Sequence, residues 1–176
     1  MRQVRVYSAD PLAAHSEQEL GRAASAHVLR VLRLRAGDAL TLFDGRGGEY
    51  PARLVRTGRA AAVVEVGAHL PLERESPLAI TLLQSLARGE KMDFIVQKGT
   101  ELGVTRIVPV AVGRSVMRVP QGREGRKLEH WRAVAASACE QCGRNRLPQI
   151  DAPVDLPSAL ALATSSEMRV LLSPEA

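Results

Sequence analysis

The residues best suited to chemistry lie between positions 91 and 101, where polar side chains recur at helical spacing. At 100° per residue, Lys91 and Lys98 project from the middle of the apolar side of the predicted helix, which is formed by Phe94, Ile95 and Leu102 and, more laterally, by Met92 and Val96. A buried ammonium is costly unless it is paired or reaches water, and Glu101 lies one turn after Lys98, close enough to pair with it. Two interpretations remain open. Either both lysines extend to water at the rim of the core, or the cluster, which includes Gln97, serves a partner or a reaction.

A second polar group lies on the predicted helix 125–142 and just beyond it. Six residues share the face opposite its apolar stripe: Arg126, His130, Ser137, Glu140, Gln141 and Arg144. Such a face is usually solvated. The continuation GRNRLP adds cations at the end of the helix, which favours a phosphate clamp there. We expect Lys98 to lie near Glu101 or Glu140, where it organises the active edge of the domain or a dimer contact.

Cys139 and Cys142 form a C-x-x-C pattern, which in other contexts indicates zinc binding or redox chemistry. No second Cys or His pair is spaced to complete a metal site, so we expect no metal. Both cysteines fall on the apolar stripe of helix 125–142, so both thiols are predicted to face the core. Asp44 to Glu49 is Gly-rich, but it lies between two predicted strands and reads as a hairpin turn. No catalytic residue can be assigned from spacing alone.

The charge of the chain favours a nucleic-acid partner. The formal net charge is +5, and 21 of the 24 cations are arginine, whose rigid fork suits phosphate; codon bias is the alternative cause of that excess. The predicted RNA-binding residues are Arg30, Arg33, Arg114, Arg118, Arg123, Arg126 and Arg144. Aromatic residues make up only 3%, which argues against a protein that stacks successive bases on aromatic platforms. No apolar run is long enough for a signal or membrane segment, so we expect a cytoplasmic protein with no membrane partner.

The elements that must position these residues fall into two groups. The first half predicts short strands at 2–7, 39–43, 49–56 and 61–66, and a helix at 16–34 with Ser16 as N-cap and Glu19 completing a capping box. Together they predict a small β-barrel. PLERESP (71–77) is a Pro-bounded linker, and we place the boundary between domains 1–72 and 73–176 there. The second half predicts strands at 78–86, 105–112 and 168–173 and helices at 89–102, 125–142 and 155–163. This alternation indicates an α/β domain with a parallel sheet.

Six motifs in order resemble the RsmE family of 16S rRNA methyltransferases. They are H-x-x-R-V-L-R-L (27–34), F-D-G-x-G-G-E (43–49), K-M-x-x-I-x-Q-K-x-x-E-L-G-V (91–104), R-S (114–115), K-L-x-x-W (127–131) and E-Q-C-G-R-x-x-x-P (140–148). The resemblance implies a PUA-like barrel followed by a SPOUT α/β domain with a trefoil knot. It also implies a homodimer that uses S-adenosylmethionine to methylate N3 of a uridine in 16S rRNA of the small ribosomal subunit.

The chain departs from the family pattern because the later G-P-E-G-G and R-T-E-T-A segments are absent. We therefore expect only the N-terminal part of the SPOUT domain, with Leu172, Ser173 and Pro174 forming one rim of the cofactor pocket. A fragment of this kind should bind S-adenosylmethionine weakly or not at all and be inactive by itself. The base that removes the uridine proton is not identified. The competing hypothesis is a basic RNA-binding or ribosome-associated protein without catalysis.

Overall fold

The computed structural model describes residues 4–59, 61–112 and 124–172. Its first half contains a five-stranded sheet with the strand order β1-β3-β4-β5-β2. The strands are β1 (Arg5–Tyr7), β2 (Ser16–Glu19), β3 (Ala39–Phe43), β4 (Tyr50–Thr57) and β5 (Ala62–Val66). All neighbours are antiparallel except β1 and β3. Alternate residues of the strands, such as Leu40 and Leu42 or Ala52 and Leu54, contribute to one core, as the period-2 pattern predicts.

The predicted long helix at 16–34 is wrong in its first third. Ser16–Glu19 is a strand that pairs antiparallel with β5, so the backbone groups of the supposed capping box belong to a sheet. Helix α1 (Arg22–Ala26) begins only after this strand and buries Ala24. It continues into a π-helical turn, His27–Val31, in which the Leu32 N–H donates to the His27 carbonyl.

The second half is the predicted α/β unit with a parallel sheet. Strand β7 (Arg106–Ala111) lies in the centre, with β6 (Thr81–Ser85) on one side and β8 (Gln149–Ile150) and β9 (Val154–Asp155) on the other. Helices α2 (Glu90–Glu101) and α3 (Glu124–Cys142) pack on one face through Met92, Val96 and Trp131. Helix α4 (Leu156–Leu162) covers the other face, with Asp155 as its N-cap.

The buried face of α2 differs from the prediction. Met92, Val96, Gly99 and Thr100 face the core, whereas Phe94 is 60% exposed and Leu102 is 80% exposed. Gly99 lies against the sheet, where a Cβ would be in ordinary van der Waals contact with Val104, Leu82 and Ile107. The small residue lets the helix backbone approach the sheet, so the helix rotates away from its larger apolar side chains.

The strand predicted at 168–173 is not formed over residues 168–172. These residues pair with no described strand, and Met168, Val170, Leu171 and Leu172 are at least three-quarters exposed. Ser173, the last residue of the prediction, lies outside the described residues. An apolar run predicts a buried strand only where a neighbouring strand can pair with its backbone. Among the described residues, no helix is long and apolar enough to cross a membrane.

Candidate functional site in the interdomain cleft

Three consecutive linker residues of alternating charge fasten the two domains together. Glu73 accepts from Arg146 Nε at 2.6 Å, Arg74 donates to Glu49 at 2.7 Å, and Glu75 accepts from Arg144 Nε at 3.0 Å. Glu49 belongs to the first domain, and the two arginines follow α3 in the second. The linker is therefore held on both sides, and we call this set of ion pairs the interdomain joint.

Arg144 is a buried part of this joint and not a surface cation. Its side chain is 8% exposed, and its guanidinium donates to the Thr100 and Val104 carbonyls as well as to Glu75. Those carbonyls lie at the end of α2, where backbone acceptors lack helical partners. The prediction that Arg144 contacts RNA phosphate is corrected, because turning the side chain outward would break its hydrogen bonds to Glu75, Thr100 and Val104.

Glu49 is the most strongly perturbed carboxyl group of the joint. Its side chain is 4% exposed and accepts hydrogen bonds from Arg74 and from Arg5. The hydrogen bond from Arg74 is the largest cause, followed by burial, which opposes it, and by Arg5; together they lower the pKa of Glu49 to about 2. Arg5 also donates to Asn145 Oδ1 and stacks 4.9 Å above the Phe43 ring. The charge on Glu49 therefore links the first strand to the segment after α3.

The Gly-rich turn after β3 docks on the same segment. Gly47 has φ 107°, and a Cβ at this position would lie 2.6 Å from Arg146 Nη2. The Gly47 N–H donates to the Asn145 carbonyl, and the Leu147 N–H donates to the Gly45 carbonyl. Glycine is required here by both the backbone conformation and the close approach. The hairpin prediction stands, and the role of the hairpin is to hold the second domain.

Beside this joint lies a cleft of about 1050 Å³ between the two domains. It brings together five of the six polar residues singled out from the sequence: Gln97, Lys98, Glu101, Glu140 and Gln141. Lys91 does not line it and is exposed in the first turn of α2. The opposite wall comes from the first domain and includes His27 and Leu32.

On the α2 side of the cleft, Lys98 and Glu101 form an ion pair. Lys98 Nζ lies 2.6 Å from Glu101 Oε2, as predicted, and Gln97 Nε2 donates to Glu101 Oε1 at 3.0 Å. The hydrogen bond from Lys98 lowers the pKa of Glu101. Lys98 remains 42% exposed, with its ammonium 5.9 Å from the Phe94 ring. The predicted pairing of Lys98 with Glu101 is therefore confirmed, and the ammonium also reaches water.

The α3 side is held to the first domain by Glu140. One carboxylate oxygen accepts from the Tyr7 backbone N–H at 2.9 Å, and the other lies 3.9 Å from His27 Nε2. The π-helical turn after α1 places His27 here, a placement that apolar periodicity cannot reveal. The only signal in the sequence was the presence of His27 at the head of the H-x-x-R-V-L-R-L motif.

The topology shows at which edge of the sheet this cleft lies. Each helix starts after the carboxyl end of one strand and ends before the amino end of the next, so the last turns of α2 and α3 reach the amino edge. Open α/β sheets bind ligands at the opposite, carboxyl edge. The polar cluster therefore lies at the edge opposite the one where such sheets bind ligands, and within it Glu140 contacts the first domain. Its predicted role at the active edge or in a dimer contact stays a prediction.

The structure separates the predicted RNA-binding arginines. Arg30 and Arg33 are exposed next to His27 and Leu32, at the rim of the cleft, and Arg33 has a φ of 55°. Arg126 is exposed near the start of α3, at the far end of that helix from Glu140. Arg114, Arg118 and Arg123 lie outside the described residues.

The two cysteines differ, contrary to the prediction that both face the core. Cys139 is buried, and burial raises the pKa of its thiol to about 12. Cys142 is exposed and lines the cleft, because it is the last residue of α3, where the helix leaves the core. Within the described ranges, no cluster of His, Cys, Asp and Glu is arranged to hold a metal ion.

Comparison with known proteins divides the chain in the same way. Residues 20–67 match a family described as an RNA methyltransferase PUA domain, and residues 74–176 match an RNA methyltransferase domain. A putative methyltransferase from Legionella pneumophila, solved with the bound cofactor SAM, superposes with a TM-score of 0.93 at 33% identity, over 99% of this chain and 72% of that one. These matches define the class: a PUA domain joined to an RNA methyltransferase domain.

Named relatives narrow the class. A ribosomal RNA small subunit methyltransferase E from Neisseria gonorrhoeae, bound to S-adenosyl methionine, superposes with a TM-score of 0.85 at 36% identity, over 96% of this chain and 67% of that one. A protein of the same name from Buchnera aphidicola is 30% identical over 86% of this chain and 60% of its own length. The protein of that name from Bacillus subtilis is also 30% identical, over 70% of this chain and 48% of its own length. The chain belongs to the ribosomal RNA small subunit methyltransferase E family. It spans about half to three-fifths of the length of these two curated relatives.

Proposed function

We propose that this protein transfers a methyl group from S-adenosylmethionine to N3 of a uridine in 16S rRNA of the small ribosomal subunit, in the cytoplasm. The observation that carries the proposal is the superposition of 99% of the chain on a methyltransferase structure with bound SAM. A PUA-type domain fixed rigidly to the parallel sheet supports an RNA substrate, because the joint keeps both domains in one orientation toward it.

The carboxyl edge of the parallel sheet is where the cofactor would bind. At this edge Leu86 follows β6 and is buried in the core on one face of the sheet, and Val112 follows β7 and packs against the core on the other face. Leu172 is exposed, whereas Ser173 and Pro174 lie outside the described residues. When bound, the cofactor supplies the electrophilic methyl group.

The chain's own contribution to the reaction is to bind and orient RNA. N3 of uracil carries a proton that must be removed before or during methyl transfer, and positioning the base is the larger part of such catalysis. We assign phosphate contacts to Arg30, Arg33 and Arg126, which are exposed and have no ion-pair partner among the described residues.

The protein is also proposed to act as a homodimer. The supporting observation is the exposed apolar pair Phe94 and Leu102 on the outer side of α2. Sedimentation of the parent protein and of Phe94→Ser tests this, with a dimer expected for the parent and a weakened dimer for the variant. A monomeric parent at micromolar concentration would refute it.

The proposed function is tested by incubating the intact enzyme with radiolabelled S-adenosylmethionine and small ribosomal subunits that lack the modification, followed by mapping of the methylated position. Methyl transfer to N3 of one uridine in 16S rRNA is the expected result for the intact enzyme. RNA binding without methyl transfer by that enzyme would favour the non-catalytic alternative.

The RNA surface is tested separately by the salt dependence of binding. Arg30→Ala and Arg33→Ala should each lower the slope of log affinity against log salt by about one unit, because each removes a phosphate contact. Arg56→Ala is the matched control, since Arg56 is exposed but already paired with Glu17. An equal loss of slope in all three variants would mean that Arg30 and Arg33 act only through net charge.

A further inference from the structure

The interdomain cleft has no assigned ligand, although its walls come from both domains and its volume of about 1050 Å³ is that of a ligand site. The two carboxylates that line the cleft, those of Glu101 and Glu140, already have partners. Glu101 is paired with Lys98, and Glu140 accepts from the Tyr7 N–H and faces His27. A phosphate group placed between these two carboxylates would gain little attraction and would displace existing contacts. The interior of the cleft therefore suits a neutral ligand.

Neutral hydrogen-bonding groups remain available in the same walls. Ser137 Oγ on α3 and Gln97 Oε1 on α2 have no hydrogen-bond partner among the described residues. Leu32, Val134 and Ala138 supply apolar surface beside them. A flat, uncharged molecule with donors and acceptors along its edge matches this combination, which is the chemistry of a nucleobase.

The two cations that line the cleft, Arg5 and Lys98, are already paired with Glu49 and Glu101. Exposed arginines without such a partner among the described residues adjoin two of the lining residues in sequence. Arg30 lies between His27 and Leu32 in sequence, Arg33 directly follows Leu32, and both are exposed. We infer that the interdomain cleft binds the base of one unpaired RNA nucleotide, with Arg30 and Arg33 contacting the adjoining phosphates. The inference rests on the proposed function in that its ligand is the RNA substrate.

The bound base is not the one that is methylated. Helix α2 has 12 residues and runs from the carboxyl edge of the sheet to the cleft, a distance of roughly 18 Å at 1.5 Å per residue. The cleft therefore holds a nucleotide at a distance from the cofactor edge of the same chain. Such a contact would fix the register of the RNA, and it would add sequence preference that phosphate contacts alone do not supply.

Cys142 provides a test that leaves the fold intact, because it is exposed in the cleft wall while Cys139 is buried. The probe is a fluorescent single-stranded RNA of about ten nucleotides, with N-ethylmaleimide as a neutral group attached to Cys142. We expect the modified protein to bind this RNA about tenfold more weakly, the loss typical of one hydrogen-bonded base contact. The salt slope should stay unchanged because no phosphate contact is removed. We also expect bound RNA to slow the alkylation of Cys142.

The controls separate this site from the proposed function. Cys142→Ser treated with the same reagent should bind RNA as the untreated parent does, and Gln97→Leu should weaken binding without any reagent. Unchanged affinity after modification, together with no protection of Cys142, would overturn the inference while leaving RNA methylation untouched. A fall in the salt slope after modification would also overturn it, since the cleft would then hold a phosphate. A parent protein that binds no RNA would overturn the inference together with the proposed substrate, whereas binding without methyl transfer would count only against the proposed reaction.

Discussion

Replacing Glu49 with Gln should weaken the interdomain joint more than any single change on the surface of the protein. Glu49 is 4% exposed and accepts hydrogen bonds from Arg5 and Arg74, whose positions lie on β1 and in the linker. Glutamine keeps the shape of the side chain but removes its charge. Two guanidinium groups would then share an amide oxygen, and Arg5, 8% exposed, would be left as a buried cation without a counter-ion.

The magnitude follows from the pKa of Glu49. The fall of this pKa from 4.5 to about 2 means that the ionised carboxylate is stabilised in the folded state relative to the unfolded state. At about 1.36 kcal/mol per unit, the charge contributes roughly 3 kcal/mol to the free energy of unfolding at neutral pH. Because the folded pKa is the lower one, this contribution is complete above about pH 4.5 and disappears as the pH falls toward 2.

Urea unfolding of the parent and of Glu49→Gln, followed by the fluorescence of the single tryptophan, Trp131, measures this difference. We expect the variant to be about 3 kcal/mol less stable at pH 7 and the gap to narrow below pH 4.5. Glu17→Gln is the control, since its exposed pair with Arg56 should be worth less than about 1 kcal/mol. A gap below 1 kcal/mol at pH 7, or one that persists unchanged to pH 3, would refute the assignment of Glu49 as the charged centre of the joint.

Three further predictions concern single groups. Lys98→Met should change the urea midpoint little, because the lysine is half exposed. In a carboxyl NMR titration the same change should raise the pKa of Glu101 toward its ordinary value. A loss of stability as large as that of Glu49→Gln would contradict this prediction. A thiol reagent should modify Cys142 in the folded protein and Cys139 only after unfolding, since Cys139 is buried and burial raises the pKa of its thiol to about 12. Equal reaction rates at the two cysteines would show that the end of α3 is misplaced. Calorimetry should show weak or no binding of S-adenosylmethionine to the 176-residue chain, because Leu86 and Val112, which follow β6 and β7 at the carboxyl edge, are apolar side chains packed in the core and offer no partner to the charged part of the cofactor. Micromolar affinity would refute this.

The parts of the fold that could be predicted from the sequence are those governed by local pattern. The apolar run 39–43 and the β-branched run 105–112 became β3 and β7. The periodic segments 89–102 and 125–142 became α2 and α3 within a residue or two. The Lys98–Glu101 pair also followed from helical spacing alone. These features depend on residues at most a few positions apart, which is the range that periodicity samples.

The errors share one cause: each depended on which other segment packs against the residue. Glu19 belongs to a strand because β5 is available to pair with it, and α2 buries Gly99 instead of Leu102 because the sheet lies close on that side. Arg144 was assigned to the surface because arginine is rarely buried without a partner, and its partner Glu75 is 69 residues away in sequence. Long-range pairing of this kind leaves no periodic signal.

The interdomain joint also changes how the basic charge of the chain relates to RNA. Arg74, Arg144 and Arg146 contribute to the total of 24 cations, yet each is committed to a carboxylate at the joint. The potential felt by a nucleic acid must then come from exposed arginines without such partners, of which Arg30 and Arg33 lie at the cleft rim. Those two arginines neighbour His27 and Leu32 in sequence, and both of these residues line a cleft whose carboxylates are already paired. A protein built in this way can draw RNA in by charge and fix its register by hydrogen bonds, which is why salt slope and affinity should respond to different substitutions.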